Sequence, residues 1–156
     1  MRSGYGLAAL VLVAGCQSVA GSPPPTSGTQ EAAEVRATLE AIPATLAEHG
    51  PVGWLEHFAP EFAMASDGAL KFASLAEVRE AMQTFGPTVT RMELRWSDLE
   101  TELLAPGLAR FGASYDELLV DRKGVETRFA GYVTGLAREF DGAWRIERMH
   151  WSLPVP

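Results

Sequence analysis

The fold is decided by residues 88–152, which read TVTRMELRWSDLETELLAPGLARFGASYDELLVDRKGVETRFAGYVTGLAREFDGAWRIERMHWS. Apolar and polar residues alternate through most of this stretch, and that alternation is the period of β-strands. Turn-forming residues interrupt the alternation at 105–107, 121–124 and 141–142. We therefore predict four long strands that form an antiparallel meander.

Helical periodicity precedes the strands. From residue 29 onward, apolar residues recur three or four positions apart, which predicts an amphipathic helix that ends near residues 49–51. Pro43 lies inside this helix and lacks a backbone N–H, so we expect it to kink or split the helix. The periodic residues are Val35, Leu39, Ile42 and Leu46.

The segment between the first helix and the strands contains three shorter elements. A second short helix is expected over residues 52–58. Asp67 and Gly68 lie between short apolar runs, a strong signal for a tight hairpin within residues 61–72. Ser74 and Glu77 have the spacing of a capping box, which predicts a third helix. Helices followed by a meander indicate an α+β fold, with three N-terminal helices packed on one face of a curved antiparallel sheet.

Composition limits the classes of function. The chain has 156 residues, of which 47% are hydrophobic, so it can bury one domain core. Its 20 acidic residues against 13 basic ones give a net charge of −7, which argues against nucleic acid as a partner. Because there is one cysteine, an intrachain disulfide is impossible. No spacing of histidines or acids predicts a metal site, and no cofactor is expected.

The N-terminus resembles the signal peptide of a bacterial lipoprotein. Arg2 precedes an apolar run over residues 7–14 that is too short to span a bilayer. Small residues then lead directly to Cys16, as in the lipobox of that family; the alternative is a buried free cysteine with a chance match. The resemblance implies that Cys16 is lipidated and anchors the chain to a lipid bilayer. Gln17 follows it, and in a Gram-negative bacterium this favours the outer membrane, facing the periplasm.

These features divide the chain into three parts. Residues 1–15 are the predicted signal peptide, and residues 16–28 are the lipidated cysteine with a tether rich in proline, serine and glycine. Residues 29–156 are the predicted domain. The expected location is the cell envelope.

The order of elements and the end of the chain resemble a known family. An Asp-Gly-x-Trp-x-Ile strand over residues 141–146, followed by His150 and Ser152 in a His-x-Ser pattern, is similar to the SnoaL-like (DUF4440-type) branch of the nuclear transport factor 2-like superfamily. That resemblance implies a cone-shaped, cystatin-like fold, in which a strongly bent sheet wraps the helices and leaves a pocket. The superfamily includes isomerases, dehydratases, polyketide cyclases and domains without catalysis, so it implies a pocket but no particular reaction.

Alternation along the strands predicts where that pocket lies. Because side chains alternate along a strand, Arg148, His150 and Ser152 are expected to share the concave face with Trp144 and Ile146. The expected register then places the small residues Ala113, Gly131 and Ser152 in one row. They lie there beside Phe111, Val133 and His150, and the small side chains would leave a hollow that binds a small apolar or aromatic molecule. The alternative is that the small residues serve only a bend or a bulge of the sheet and that the helices fill the gap. The predicted ligand-binding residues are Trp54, Trp96, Phe111, Ala113, Tyr115, Gly131, His150 and Ser152.

Three functions remain open from the sequence. The first is non-catalytic binding of a small molecule. The second is an isomerase, dehydratase or cyclase with His150 as general base and Tyr115 as donor, although a lone histidine in a core is more often structural. Glu117 and Asp98, near strand ends, are expected at the solvated rim. The third is an interaction domain that forms a homodimer or binds an envelope protein through the convex sheet face. The apolar set predicted on that face is Tyr132, Leu136, Met149, Trp151 and Leu153.

Overall fold

The computed structural model describes residues 28–153 of the chain. Helices and strands follow the predicted order, with two short 3₁₀ helices among them. The bounds are α1 Gly28–His49, a first 3₁₀ helix Gly50–Glu56, β1 Phe58–Ser66, β2 Ala69–Phe72, α2 Leu75–Phe85, a second 3₁₀ helix Gly86–Thr88, β3 Val89–Ala105, β4 Leu108–Asp121, β5 Glu126–Phe140 and β6 Ala143–Ser152. The predicted signal peptide, Cys16 and residues 17–27 of the tether lie outside the described residues. Neither α1 nor α2 is long and apolar enough to span a bilayer.

The six strands form one mixed sheet in the order β2-β1-β6-β5-β4-β3. The last four strands are the predicted antiparallel meander. The sheet is not antiparallel throughout, because β1 pairs in parallel with β6. α1 packs on β3, and α2 packs on the first 3₁₀ helix and β1. The α+β class is thus confirmed.

Within residues 28–153, two α-helices precede the meander, so the prediction of three N-terminal helices is not confirmed. The residues expected to form the second α-helix lie in the first 3₁₀ helix, which begins at Gly50 and ends at Glu56. A Cβ at Gly53 would lie 2.9 Å from the carbonyl oxygen of Thr45 in α1. Glycine therefore lets this short, tight helix approach α1 closely.

Pro43 does not split the first helix, which was one of the two outcomes expected of it, a kink or a split. α1 runs through Pro43 as one helix of 22 residues. Proline at this position removes the N–H that would bond to the carbonyl of Leu39 four residues earlier. The indole of Trp96 on β3 donates a hydrogen bond of 2.9 Å to that carbonyl instead. Tertiary contact thus satisfies the group that proline leaves open.

Two local predictions are confirmed. Asp67 and Gly68 both have positive φ, 51° and 76°, and they connect β1 and β2 as a tight turn. Ser74 caps α2, with its side chain accepting a hydrogen bond of 3.3 Å from the backbone N–H of Glu77. The Glu77 carboxylate accepts in turn from the backbone N–H of Ala73 at 2.8 Å.

A bulge in β6 changes which residues face the helices. Ala137 pairs with Ile146, but its neighbour Leu136 pairs with Arg148, so one extra residue of β6 has no partner there. Before this bulge Trp144 and Ile146 are buried; after it Met149 is buried, whereas His150 is exposed. The placement of His150 on the concave face is therefore wrong.

Because of the same bulge, three further residues lie on a different face of the sheet from the one expected. Ser152 does not share the concave face; its hydroxyl donates to the backbone carbonyl of Tyr132. Met149 and Trp151 belong to the core side rather than the convex face. Tyr132 is exposed as expected. The predicted apolar set is therefore not assembled on one face.

The register also differs from the expected row. Ala113 pairs with Val133, which pairs with Trp151, and Gly131 lies opposite Tyr115. A Cβ at Gly131 would meet the backbone carbonyl of Ser152 first, and it would lie 3.1 Å from the ring of Tyr115. These two groups take the space that the glycine leaves, so the predicted hollow at Gly131 and Ala113 does not form.

Candidate functional site

A pocket of about 330 Å³ lies elsewhere on the concave side of the sheet. Its walls come from α2, the β1–β2 hairpin, the first 3₁₀ helix and the four strands of the meander. Exposed side chains, among them Phe85, Phe129 and Leu153, lie at its mouth. Eight aromatic residues line it: Trp54, Phe58, Phe62, Phe72, Phe85, Tyr115, Phe129 and Trp151. A concave, mostly aromatic surface is typical of small-molecule sites.

Trp151 is at the centre of the aromatic wall. Its ring meets that of Tyr115 edge to face, with centroids 4.4 Å apart, and that of Trp54 edge to face at 5.9 Å. Trp54 in turn stacks on Phe58 at 5.6 Å. Such pairs stabilise one another beyond the area they bury, so these ring contacts hold the wall together in the absence of a ligand.

Glu117 is the ionisable group that the apolar walls enclose. It follows Tyr115 by two residues on β4, and alternation therefore turns both side chains into the pocket. Its cross-strand partners are Leu94 and Phe129. Burial among these side chains raises the pKa of Glu117 to about 7. The expectation that Glu117 is a solvated rim residue is wrong.

Glu117 has no hydrogen-bond or ion-pair partner among residues 28–153. Trp144 Nε1 is the single fully buried side-chain nitrogen or oxygen without a partner in the same range, so the carboxyl oxygens of Glu117 keep some access to open space. That space is the pocket, which Glu117 lines. The carboxyl group is thus available to a ligand.

The Tyr115 hydroxyl is the second polar group of the pocket interior. Burial, and then the negative charges of Glu117 and Asp67, raise the pKa of Tyr115. The phenol therefore stays protonated at neutral pH and can donate a hydrogen bond. Asp67, in the β1–β2 turn, is exposed at the pocket rim.

The structure brings part of the predicted site together. Trp54 and Tyr115 line the pocket. Trp96 lies behind them, with its centroid 6.3 Å from Trp54. Phe111 and Ala113 are buried in the core.

His150 is on the opposite side of the sheet from the pocket. It borders a shallow groove on the convex face together with Arg110, Thr134 and Arg148. Gly131 and Ser152 are likewise absent from the pocket walls within the described part of the chain. His150 therefore cannot act as a base on a ligand in this pocket.

Sequence reasoning missed Glu117 and Trp151. Alternation from Tyr115 could have found Glu117, because the two are separated by one residue on a strand. No pattern of neighbouring residues could have placed Trp151 in the pocket, since its orientation depends on the bulge near Glu147. Across residues 28–153, no three histidine, cysteine or acidic side chains are placed to share a metal ion.

Comparisons with known proteins support the architecture. No protein-family model and no curated protein sequence matches this chain. A nuclear transport factor 2-like superfamily protein from Salmonella enterica serovar Typhimurium superposes with a TM-score of 0.68 at 16% identity, covering 82% of this chain and 94% of that one. The chain has the nuclear transport factor 2-like fold.

Two enzymes or candidate enzymes share this nuclear transport factor 2-like fold with the chain. A candidate scytalone dehydratase from Novosphingobium aromaticivorans superposes with a TM-score of 0.70 at 10% identity, covering 80% of this chain and 85% of that one. A hexachlorocyclohexane dehydrochlorinase has a TM-score of 0.63 at 10% identity, with 79% and 84% covered. At such low identity the likeness establishes the fold and not the reaction.

Proposed function

We propose that this chain binds a small, largely apolar or aromatic molecule in the pocket between α2 and the sheet. The observation that carries the proposal is the lining of the pocket, in which eight aromatic side chains surround a space of about 330 Å³. Apolar ligands gain roughly 25 cal/mol for each Å² of surface removed from water. The Tyr115 hydroxyl and the Glu117 carboxyl supply the few polar contacts that orient such a ligand.

A neutral fluorescent probe tests the binding function. N-phenylnaphthylamine brightens in apolar surroundings, and we expect the purified full chain to enhance its fluorescence saturably. Met82 on α2 lines the pocket, so Met82→Trp fills the space and should abolish saturable enhancement. Gln83→Trp places the same ring on the exposed neighbouring position and should leave binding unchanged. Absence of enhancement by the unmodified chain, or equal enhancement by Met82→Trp, would contradict the proposal.

Acid–base catalysis is a second candidate function, and Glu117 is the observation that favours it. A carboxyl group whose pKa is about 7 is half ionised near neutral pH, where a general base works best. Glu117 would take a proton from a bound substrate, and the neutral Tyr115 hydroxyl would donate a hydrogen bond to the oxygen that gains negative charge. This assigns to Glu117 the role that the sequence suggested for His150.

Hydrogen exchange tests the catalytic candidate separately. A bound ketone with acidic C–H groups should exchange them for deuterium in D₂O, as followed by NMR. Glu117→Gln should stop that exchange while the ketone still binds. Exchange that continues at the original rate in Glu117→Gln would remove the role of Glu117 as base.

We further propose that the domain is held at a membrane by lipid on Cys16. The support is the sequence alone: an apolar run, small residues, the chain's single cysteine and a proline-rich spacer. Acyl chains anchor by about 0.8 kcal/mol per buried CH₂, so two or three chains bind firmly. In bacteria that express the full chain, an alkyne analogue of palmitate should label it, and Cys16→Ser should remove the label and release the protein from membranes. Equal labelling of Cys16→Ser would refute the anchor.

A further inference from the structure

The charged side chains that line the pocket, among the described residues, are all acidic. They are the carboxyl groups of Glu117 and Asp67, and no lysine, arginine or histidine joins them within the described residues. The net charge of the whole chain, −7, has the same sign. An anionic ligand would therefore meet repulsion both on approach and in the pocket.

Glu117 is half-buried, and it has no hydrogen-bond or ion-pair partner among residues 28–153. Leu94 and Phe129 flank it on the two neighbouring strands, and Leu119 follows it on the same face of β4. A carboxylate buried without an opposite charge or a hydrogen-bond donor is costly. A positively charged ligand group beside Glu117 would remove that cost, and a neutral apolar ligand would not.

The walls around Glu117 also suit a cation. The rings of Tyr115 and Phe129 line the same space, and Trp151 contacts Tyr115 edge to face. Aromatic faces attract ammonium groups, and the attraction is stronger where the cation is desolvated. A carboxylate surrounded by aromatic rings can bind an amine that carries an apolar body.

We propose that the ligand of this pocket is an amphipathic organic cation, a protonated amine whose ammonium group pairs with Glu117 while its apolar body packs among the aromatic rings. This inference rests on the proposed binding function and narrows it to one chemical class. Asp67 at the rim adds a weaker, solvent-screened attraction during entry.

Binding of such a ligand should depend on pH. An alkylamine stays protonated below about pH 9, whereas Glu117 must lose its proton to pair with it. Affinity should therefore rise as pH increases through the range in which Glu117 ionises. The titratable groups that share the pocket with Glu117 are Tyr115, which stays neutral here, and Asp67 at the rim; β3, β5, β6 and α2 present apolar side chains to it.

Three probes of one shape test the charge preference: phenylbutylamine, phenylbutanol and phenylbutyrate. Calorimetric titration of the full chain at about pH 8 should show the amine binding at least about tenfold more tightly than the alcohol, because hydrogen bonds to charged groups are the stronger kind. Phenylbutyrate should bind weakest. At about pH 5 the advantage of the amine over the alcohol should shrink.

Matched variants separate charge from shape. Glu117→Gln keeps the size of the side chain and removes its charge, so it should abolish the preference for the amine, and the amine and the alcohol should then bind about equally. Glu117→Asp keeps the charge and should retain a preference for the amine. Asp67→Asn should change amine affinity by less than about threefold, since this residue is exposed.

The outcomes distinguish this inference from the function on which it rests. If the alcohol or the acid binds the unmodified chain as tightly as the amine, the cation proposal is overturned and the apolar pocket stands. If Glu117→Gln retains the preference for the amine, the assignment of Glu117 is overturned. If none of the three probes binds and N-phenylnaphthylamine gives no saturable signal, the binding function itself fails.

Discussion

The indole nitrogen of Trp96 donates a hydrogen bond to the backbone carbonyl of Leu39, at a distance of 2.9 Å. The N–H that would bond to this carbonyl inside α1 is missing, because the residue four positions on is Pro43. The bond thus joins the helix to β3 at the point where the helix lacks a bond of its own.

Trp96→Phe should therefore destabilise the protein by about 1 to 2 kcal/mol, since it leaves the carbonyl of Leu39 without a donor. Pro43→Ala restores a backbone N–H to that carbonyl. The cost of Trp96→Phe should accordingly be smaller in the Pro43→Ala background, by roughly 1 kcal/mol. Urea unfolding of the unmodified chain, the two single variants and the double variant measures this difference. Strictly additive effects would show that the two donors do not bond to the same carbonyl, that of Leu39.

Glu117→Gln should stabilise the protein at high pH. The pKa of Glu117 is raised from 4.5 to about 7 in the folded chain, so folding opposes ionisation of this group. The penalty is absent below about pH 4, develops as pH rises from 4.5 to about 7, and is complete above that. At about pH 8 we expect the variant to gain roughly 3 kcal/mol in free energy of unfolding, and at about pH 4 to gain nothing.

Denaturant titration at the two pH values checks the prediction for Glu117. Glu80→Gln is the matched control, because Glu80 is exposed on α2. A gain for Glu117→Gln that is the same at both pH values would mean that desolvation of the carboxylate is not its origin.

Local sequence patterns predicted the elements of this fold well, and tertiary relationships account for what they missed. The hairpin at Asp67 and the cap at Ser74 depend on residues within four positions of each other, so the sequence shows them directly. The continuity of α1 through Pro43 depends on Trp96, more than fifty positions away. No periodicity in the helix contains that information.

The candidate site was predicted only in part for the same reason. Strand alternation predicted Tyr115, and the same alternation carried one step further would have placed Glu117 in the pocket as well. His150 and Trp151 exchange faces because β6 has an extra residue relative to β5, and such a bulge is defined by pairing rather than by composition. Alternation alone therefore assigned both residues to the wrong side.

His150→Ala and Trp151→Ala test whether His150 lies on the convex side of the sheet and Trp151 on the pocket side. His150 is exposed, so its removal should change stability by no more than about 0.5 kcal/mol and should leave probe binding intact. Trp151 contacts Tyr115, Trp54 and Trp96, so its removal should cost roughly 3 kcal/mol and weaken probe binding. Thermal melts and N-phenylnaphthylamine titrations of both variants report the result, and loss of binding in His150→Ala would contradict the register of β6.

Gly131 and Gly135 are on the same strand and face, yet their replacement by alanine should have different consequences. A Cβ at Gly135 would collide with the ring of Phe111 and the carbonyl oxygen of Arg148, neither of which contacts the pocket interior. Gly135→Ala should therefore lower stability by about 1 to 3 kcal/mol while the folded protein binds the probe normally.

A Cβ at Gly131 would instead press on the carbonyl of Ser152 and lie 3.1 Å from the ring of Tyr115. Because that ring is a wall of the pocket, Gly131→Ala should lower stability by a similar amount and also weaken probe binding. Gly28→Ala is the control, since its Cβ would meet Leu103 at an ordinary 3.7 Å. Stability from urea unfolding and affinity from probe titration are compared for the three variants. If Gly131→Ala loses stability but keeps full affinity, Tyr115 does not set the shape of the pocket.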